Sequence, residues 1–329
     1  MYYFALLLLV LFLLSFVLTW LVKSFALRNK VLDIPNERSS HENPTPRGGG
    51  LAIVISWFAG ISLLFSFNLL ETKLFYALIS GVLLAIVSLI DDLKGLSPVI
   101  RLSVQTVTAF MSLYFLGGLD AVQIAGFKVN SFFLLYPVAI IGIVWFINLF
   151  NFLDGIDGYA SLETITVAAV LMIFTGNIVN LILIAAVAGF LFWNWPKAKI
   201  FMGDIGSTQL GFILVTLGIY FHNESGFSII QWLMITSLFW FDATLTLFRR
   251  WRNKEKLSIA HKKHVYQRAV QAGLSHKQTI LLSLSLNMFI TGLICISVIK
   301  ENLLPGLFVI TLIFLYLIAR IVDSKVPFR

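Results

Sequence analysis

Eleven apolar runs, each close to the length of a bilayer-crossing helix, recur along the chain with only short polar segments between them. They lie near residues 3–22, 51–69, 74–90, 102–117, 132–148, 158–175, 178–194, 208–222, 228–247, 279–299 and 303–320. Crossing about 30 Å of hydrocarbon takes roughly 20 residues of helix. Because no water reaches the bilayer core, such runs must close their backbone hydrogen bonds within each segment. The expected architecture is therefore all-α, a polytopic membrane helix bundle forming one integral-membrane domain over residues 1–329. Composition agrees: 59% of the residues are hydrophobic and 12% charged, whereas soluble domains sit near half apolar and a quarter charged. The run 3–22 has no basic start and no small-residue cleavage site, so it reads as a retained helix rather than a removed signal peptide. Pro137 interrupts the run 132–148, which a membrane helix tolerates.

Charge sets the orientation. With the N-terminus outside and the C-terminus inside, 21 of the 24 Lys and Arg residues fall in the inner loops and tail, leaving Lys73, Lys128 and Lys300 outside. Positive residues are retained on the cytoplasmic side, so the net charge of +8 needs no nucleic-acid partner. The single Cys295 excludes an internal disulfide. The outer connections are short, and the chemistry-bearing residues gather in the inner loops.

Residues 148–158 read Asn-Leu-Phe-Asn-Phe-Leu-Asp-Gly-Ile-Asp-Gly. Carboxylates at the rim of an apolar span are costly unless a cation or wet cleft receives them. Asp154 and Asp157 are three apart, so a helical turn would aim both the same way. Asp91 and Asp92 end the third run, where adjacent carboxylates suit a divalent ion or a shared proton. Asp204 stands between Gly203 and Gly206, with Ser207 or Thr208 available to cap the helix that follows. Residues 48–50 are three glycines. Such a run lets backbone N–H groups approach an anion, although composition alone favours a plain connecting loop. His261 and His264 share a face if that stretch is helical. The flanking lysines make phosphate a better partner than zinc for the pair. The cluster 249–256 reads as the positive-inside signal alone. Glu163 and Asp242 fall in or near spans, either as intramembrane charges or facing the inner cleft.

Carboxylates at 91, 92, 154, 157 and 204 facing basic groups at 101, 197, 199, 261 and 264 are the parts of a metal-assisted phosphoryl-transfer site. A secondary transporter is the rival reading, with Asp154 and Asp157 as ion ligands. Transporter sites lie near the midplane on broken helices, often in paired repeats. Here the acids sit at helix ends and no repeat is evident. A lipid-binding scaffold without catalysis is a third reading.

Five pieces then appear in order: Asp33 to Asn36 with Pro44 to Gly50, Asp91-Asp92 with Leu96-Ser97, residues 148–158, residues 202–207, and His261 with His264. With these the chain resembles the polyprenyl-phosphate N-acetylhexosaminyl-1-phosphate transferases, relatives of the phospho-MurNAc-pentapeptide translocase. The resemblance implies transfer of a sugar 1-phosphate from a UDP-sugar to undecaprenyl phosphate, with release of UMP. It implies Mg²⁺, with Mn²⁺ as an alternative, and a bacterial inner-membrane enzyme, a homodimer being allowed. It makes Asp204 the metal ligand with Asn151 a second oxygen donor. It sets Asp91 and Asp92 near the acceptor phosphate, with Asp91 the base if one is needed. Asp154 and Asp157 would line the uridine and diphosphate pocket. Arg101, His261 and His264 would hold phosphates, with Asn148, Arg47 and Lys199 as further substrate contacts. The translocase carries consecutive histidines where this chain has His261-Lys-Lys-His264. That departure looks like the branch initiating O-antigen and related polysaccharides, some members of which use 6-deoxy sugars such as N-acetylfucosamine or N-acetylquinovosamine.

Overall fold

The computed structural model describes residues 2–35, 43–124, 126–257, 259 and 261–328; Asn36 of the first motif lies outside them. Fourteen α-helices are formed among the described residues: α1 (Tyr2–Arg28), α2 (Gly50–Ser66), α3 (Thr72–Ile79), α4 (Gly81–Lys94), α5 (Pro98–Leu116), α6 (Phe132–Leu153), α7 (Tyr159–Thr175), α8 (Val179–Asn194), α9 (Asp204–Glu224), α10 (Ile229–Ile235), α11 (Ser237–Arg252), α12 (Val265–Gln271), α13 (His276–Ile299) and α14 (Leu304–Lys325). Two small antiparallel ladders complete them. β1 (Leu32–Asp33) pairs with β2 (Thr45–Pro46), and β3 (Val122–Ile124) pairs with β4 (Phe127–Val129). The chain is an all-α membrane bundle. Every expected apolar run falls on a helix or helix pair. Seven are long and apolar enough to cross a membrane, and an eighth is the α10–α11 pair, bent by 77° at Thr236. The helices α2, α7 and α8 are apolar but shorter, about 24–26 Å at 1.5 Å per residue.

One helix forms the axis. Every residue of α9 from Ile205 to Phe221 is buried, with α2, α4, α5, α6, α7 and α10 packed around it. In lipid there is little hydrophobic drive between helices, so small residues and interhelical hydrogen bonds must hold such an assembly. Gly50 of α2 and Gly206 of α9 let two backbones touch: a Cβ on Gly50 would overlap the Gly206 backbone. Ser88 of α4 bonds Thr208 at 2.9 Å, and Ser112 of α5 lies 3.2 Å from Thr216. Trp232 of α10 donates to the Leu214 carbonyl at 3.0 Å. The outer helices α1, α5 and α14 turn large apolar side chains outward, Leu6, Leu9, Phe110 and Ile313 among them, as lipid contact demands.

The β1–β2 ladder joins a backbone clamp that overturns the anion-cradle reading of residues 48–50. Phe201 donates to the Pro46 carbonyl, Gly49 to Phe201 and Gly50 to Met202, all at 2.8–2.9 Å. Two of the three glycine N–H groups are thus committed to backbone, and Gly49 and Gly50 serve close packing. Gly50→Ala is expected to destabilise the protein by about 1–3 kcal/mol through overpacking, whereas Gly292→Ala on α13, where a Cβ meets nothing within 4 Å, is expected to be neutral or mildly stabilising. Thermal unfolding in detergent compares the two; equal shifts would contradict the α2–α9 backbone contact.

Candidate active site

The N-terminus of α9 has no cap from its own chain segment. Asp92, at the end of α4, supplies one: its carboxylate accepts the Asp204 and Ile205 N–H groups, both at 3.0 Å. A carboxylate satisfies the orphan donors of a helix start and opposes the positive end of its dipole. Ser207 and Thr208 do not cap; their hydroxyls bond back to Gly203 and Asp204 carbonyls. Asp92 is therefore a positioning residue with both oxygens in use. Arg47 reaches across from the β2 loop to the Asp92 carbonyl at 2.6 Å. Asp91 accepts the Leu96 N–H at 2.6 Å and the Arg101 guanidinium at 3.2 Å. Gly95 ends α4 at φ +68°, and Ser97 with Pro98 starts α5, which returns Arg101 over the same turn. Arg101 also lies 3.8 Å from Asp204.

The end of α6 comes in from the other side. Asn148 donates to Gln105 at 2.7 Å, and Asn151 stands with Asp204 on the walls of the same cavities. Residues 154–158 are a turn and not the helical continuation that the spacing suggested. Asn194 staples the turn, accepting from Gly158 N at 2.9 Å and donating to the Ile200 carbonyl at 3.0 Å. Asp157 accepts the Lys197 and Ala198 N–H groups at 3.0 and 3.2 Å and lies 3.2 Å from His276 Nδ1. Burial works to raise the Asp157 carboxyl, but the His276 bond and those two N–H groups hold it below the usual carboxylate range. The Asp154 carboxylate has no hydrogen-bond or ion-pair partner among the described residues, although its backbone N–H donates to the Asn151 carbonyl at 3.2 Å. Burial, with the carboxylates of Asp204, Asp157 and Asp92 nearby, pushes it well above that range.

The last large loop is organised by residues that the sequence hid. Arg250, 2% exposed, bonds Glu255 at 3.0 Å and the carbonyls of Lys256, Leu257 and Ile259 at 2.7–3.3 Å. Lys263 closes onto Glu255 at 2.8 Å, and Arg249 makes a two-bond pair with Asp323. The cluster 249–256 is thus a loop scaffold as well as a charge signal. Asp242 accepts the Val265 and Tyr266 N–H groups at the start of α12 and lies 3.5 Å from His264. His261 and His264 precede α12 and share no helix face, yet the loop brings their rings to 4.8 Å. His261 Nδ1 accepts the Lys263 N–H at 3.1 Å, so the neutral ring carries its proton on Nε2. Burial, then the neighbouring His264 and Arg250, push its pKa down to about 3. Glu163 is elsewhere, buried in the bundle and bonded to Asn287 at 2.6 Å.

These elements enclose two cavities. One, of about 290 Å³, is polar, with Asp92, Asp154, Asp157, Arg47, Gln267 and His276 on its walls. The other, of about 860 Å³, is a largely apolar groove along α5 and α6, with Trp145 and Ile141 on its side. At its head stand Asp91, Arg101, His261 and His264. Asn151 and Asp204 line both. Asn148 faces the groove. Lys199 lines neither; its ammonium sits 5.4 Å over the Trp193 ring, because the 195–203 loop turns its backbone toward Asp157. His276 had no motif around it, its one signal being a histidine that opens an apolar run.

Whether a divalent cation fits follows from the donors. Among the described residues no group of three His, Cys, Asp or Glu side chains could hold a metal, which argues against a closed all-protein site. Mg²⁺ takes one or two protein oxygens and leaves the rest to water and phosphate. Asp204 and Asn151, with the unpartnered Asp154 on the same cavity, meet that requirement.

The His261 environment gives a pH prediction. Its folded pKa, about 3, lies below the ordinary 6.5, so the unfolded chain binds the extra proton between those values. Stability contributed by the neutral ring is fully present above about pH 6.5 and is lost as pH falls toward 3. Thermal midpoints between pH 7 and 5 should fall more steeply for the wild type than for His261→Gln. Parallel profiles would contradict a buried neutral imidazole.

Comparison with known proteins places the chain. Residues 74–222 match glycosyl transferase family 4. A probable undecaprenyl-phosphate N-acetylglucosaminyl 1-phosphate transferase of Bacillus subtilis (strain 168) is 32% identical over 320 residues, covering 93% of this chain and 88% of the relative. The undecaprenyl-phosphate alpha-N-acetylglucosaminyl 1-phosphate transferase of Thermotoga maritima is 30% identical over 291 residues, covering 85% and 87%. A phospho-N-acetylmuramoyl-pentapeptide-transferase of Streptococcus uberis is 29% identical over 221 residues, covering 58% and 63%. An axial helix whose N-terminus carries Asp204 between a polar cavity and an apolar groove, with similarity running over most of the length of the Bacillus and Thermotoga transferases, leaves one conclusion: the chain belongs to glycosyl transferase family 4.

Proposed function

We propose that this chain transfers an N-acetylhexosamine 1-phosphate from a UDP-sugar to a polyprenyl phosphate of undecaprenyl type and releases UMP, initiating a cell-envelope polysaccharide. The observation that carries this reading is the pair of cavities meeting at Asn151 and Asp204. A soluble, doubly charged donor suits the polar cavity, and a lipid suits the groove with its phosphate at the Arg101 and histidine end. The relatives' names make N-acetylglucosamine the first donor to test, and 6-deoxy N-acetylhexosamines belong in the same panel. The excess of Lys and Arg on the loops at this end supports a site on the cytoplasmic face of the inner membrane.

In the reaction an oxygen of the acceptor phosphate attacks the sugar-bearing phosphorus of the donor. One P–O bond forms and the P–O bond to UMP breaks, so four negative charges enter and four leave. The acceptor is already largely ionised at pH 7, its second pKa being about 6, so no general base is required. Asp91 fits that view, since Leu96 N and Arg101 already engage its two oxygens; it fixes Arg101 for the phosphate. The Nε2–H of His261 is a second donor at that end. Arg47, His276 and the Asp157 turn shape the donor side. Asp204 and Asn151, with Asp154, are the groups that would hold Mg²⁺ (or Mn²⁺), which supplies charge neutralisation for the diphosphate. Positioning and electrostatics then carry the rate.

Purified protein with Mg²⁺, undecaprenyl phosphate and UDP-N-acetylglucosamine or a 6-deoxy analogue should release UMP. Asp204→Ala should lower turnover by at least about a hundredfold, the scale of losing one preorganised electrostatic group, without loss of folded protein. No UMP from any donor in the panel, alongside solute uptake by vesicles, would replace the enzyme reading with a transporter.

A further inference from the structure

A second basic site lies away from both cavities, where the C-terminal ends of α11 and α14 meet at the same end of the bundle. A cavity of about 560 Å³ opens there, with Arg249, Arg252 and Arg320 around it beside Asn253, Ser324 and Phe328. Its one carboxylate among the described residues is already spoken for: Asp323 takes two bonds from Arg249 and a third, at 2.6 Å, from Arg268. Arg252 and Arg320 are exposed and have no ion-pair partner among the described residues. Among the described residues, four guanidinium groups against one carboxylate leave about three positive charges on this corner. The positive-inside bias explains why arginines occur here; it does not explain their convergence on one concavity.

The flanks identify the kind of anion. On α11, Phe248 and Trp251 are 54% and 64% exposed and touch each other, ring centroids 5.9 Å apart. Arg252 follows Phe248 by four residues and so shares its helix face. On α14, Leu317 and Ile321 are 54% and 61% exposed and one turn apart, with Arg320 between them in sequence. Each arginine therefore crowns an outward apolar strip, with a tryptophan at the junction where interfacial aromatics gather. A free phosphate would use only the arginines, whereas a phospholipid uses both parts, headgroup in the cavity and acyl chains on the strips.

We propose that this corner binds the phosphate headgroup of an anionic bilayer phospholipid, as a site separate from the one where substrates react. The full-length protein, stripped of lipid in detergent, is titrated with phosphatidylglycerol or phosphatidylcholine and read by native mass spectrometry. Wild-type protein should prefer phosphatidylglycerol by tenfold or more. The Arg252→Gln/Arg320→Gln double variant should lose about thirtyfold in that affinity, on the scale of roughly fivefold per surface cation. Arg252→Lys/Arg320→Lys should keep most of it, and all three proteins should share thermal midpoint and turnover in phosphatidylcholine. Equal affinity of the wild type for the two lipids would overturn the proposal without reference to any variant. So would a preference unchanged in the Gln variant, or displacement of bound phosphatidylglycerol by millimolar inorganic phosphate, which would mark a pocket for soluble anions.

Discussion

The contact on which the rest depends is the Asp92 carboxylate at the start of α9. A fully buried axial helix begins there with free N–H groups, and an unmet buried donor costs about 1–3 kcal/mol. Asp92 meets two of them from another helix, which locks the end of α4 to the start of α9. That lock fixes where Asp204 stands and how near Asp91 and Arg101 come to it. The small-residue contact of Gly50 with Gly206 and the clamp of Gly49 and Gly50 on Phe201 and Met202 hold the same point from the far side. A membrane bundle gains little from burying apolar surface against lipid-like neighbours. These backbone and polar contacts are therefore what specify one arrangement of the helices.

Chemistry follows from where the axis ends. Asp204 and Asn151 separate a space suited to a diphosphate from one suited to a lipid tail. Carboxylates crowd the polar side, and the unpartnered Asp154 needs a cation to remain charged there. The head of the groove offers the Arg101 guanidinium and the His261 and His264 rings. The acids occupy helix ends and turns at one face of the bundle, not the midplane of broken helices. The one sharply broken pair among the described residues, α10–α11, carries Asp242, and that residue is spent on the first turn of α12. The division favours group transfer between two bound substrates over passage of one solute.

Much of the fold was legible because bilayer thickness forces apolar runs of a set length, and each of the eleven runs falls on helix. Residues 91, 92, 154, 157 and 204 could be read as converging because charge at the rim of an apolar run is costly anywhere else. Local geometry was not legible. Spacing put Asp154 and Asp157 on one helical turn, but Gly155 and Gly158 open a turn there and Asn194 staples it. At residues 48–50 composition favoured a plain connecting loop over an anion cradle, and it did not reveal that Gly49 and Gly50 pack against Phe190 and the Gly206 backbone. Lys199 was chosen for its charge, yet the backbone around Asp157 turns it onto Trp193. Arg250 was hidden because a buried arginine in a basic run reads like its exposed neighbours. His276 was hidden because its partner Asp157 is over a hundred residues away.

The central claim is that donor and acceptor occupy adjoining cavities at once and that the sugar phosphate passes directly between them. Isotope exchange between labelled UMP and the UDP-sugar, measured with and without polyprenyl phosphate, tests it most directly. Direct transfer predicts intersecting initial-velocity patterns and no exchange until the lipid product is present. Parallel patterns with exchange in the absence of any polyprenyl lipid would show a covalent phospho-sugar enzyme and would contradict the account.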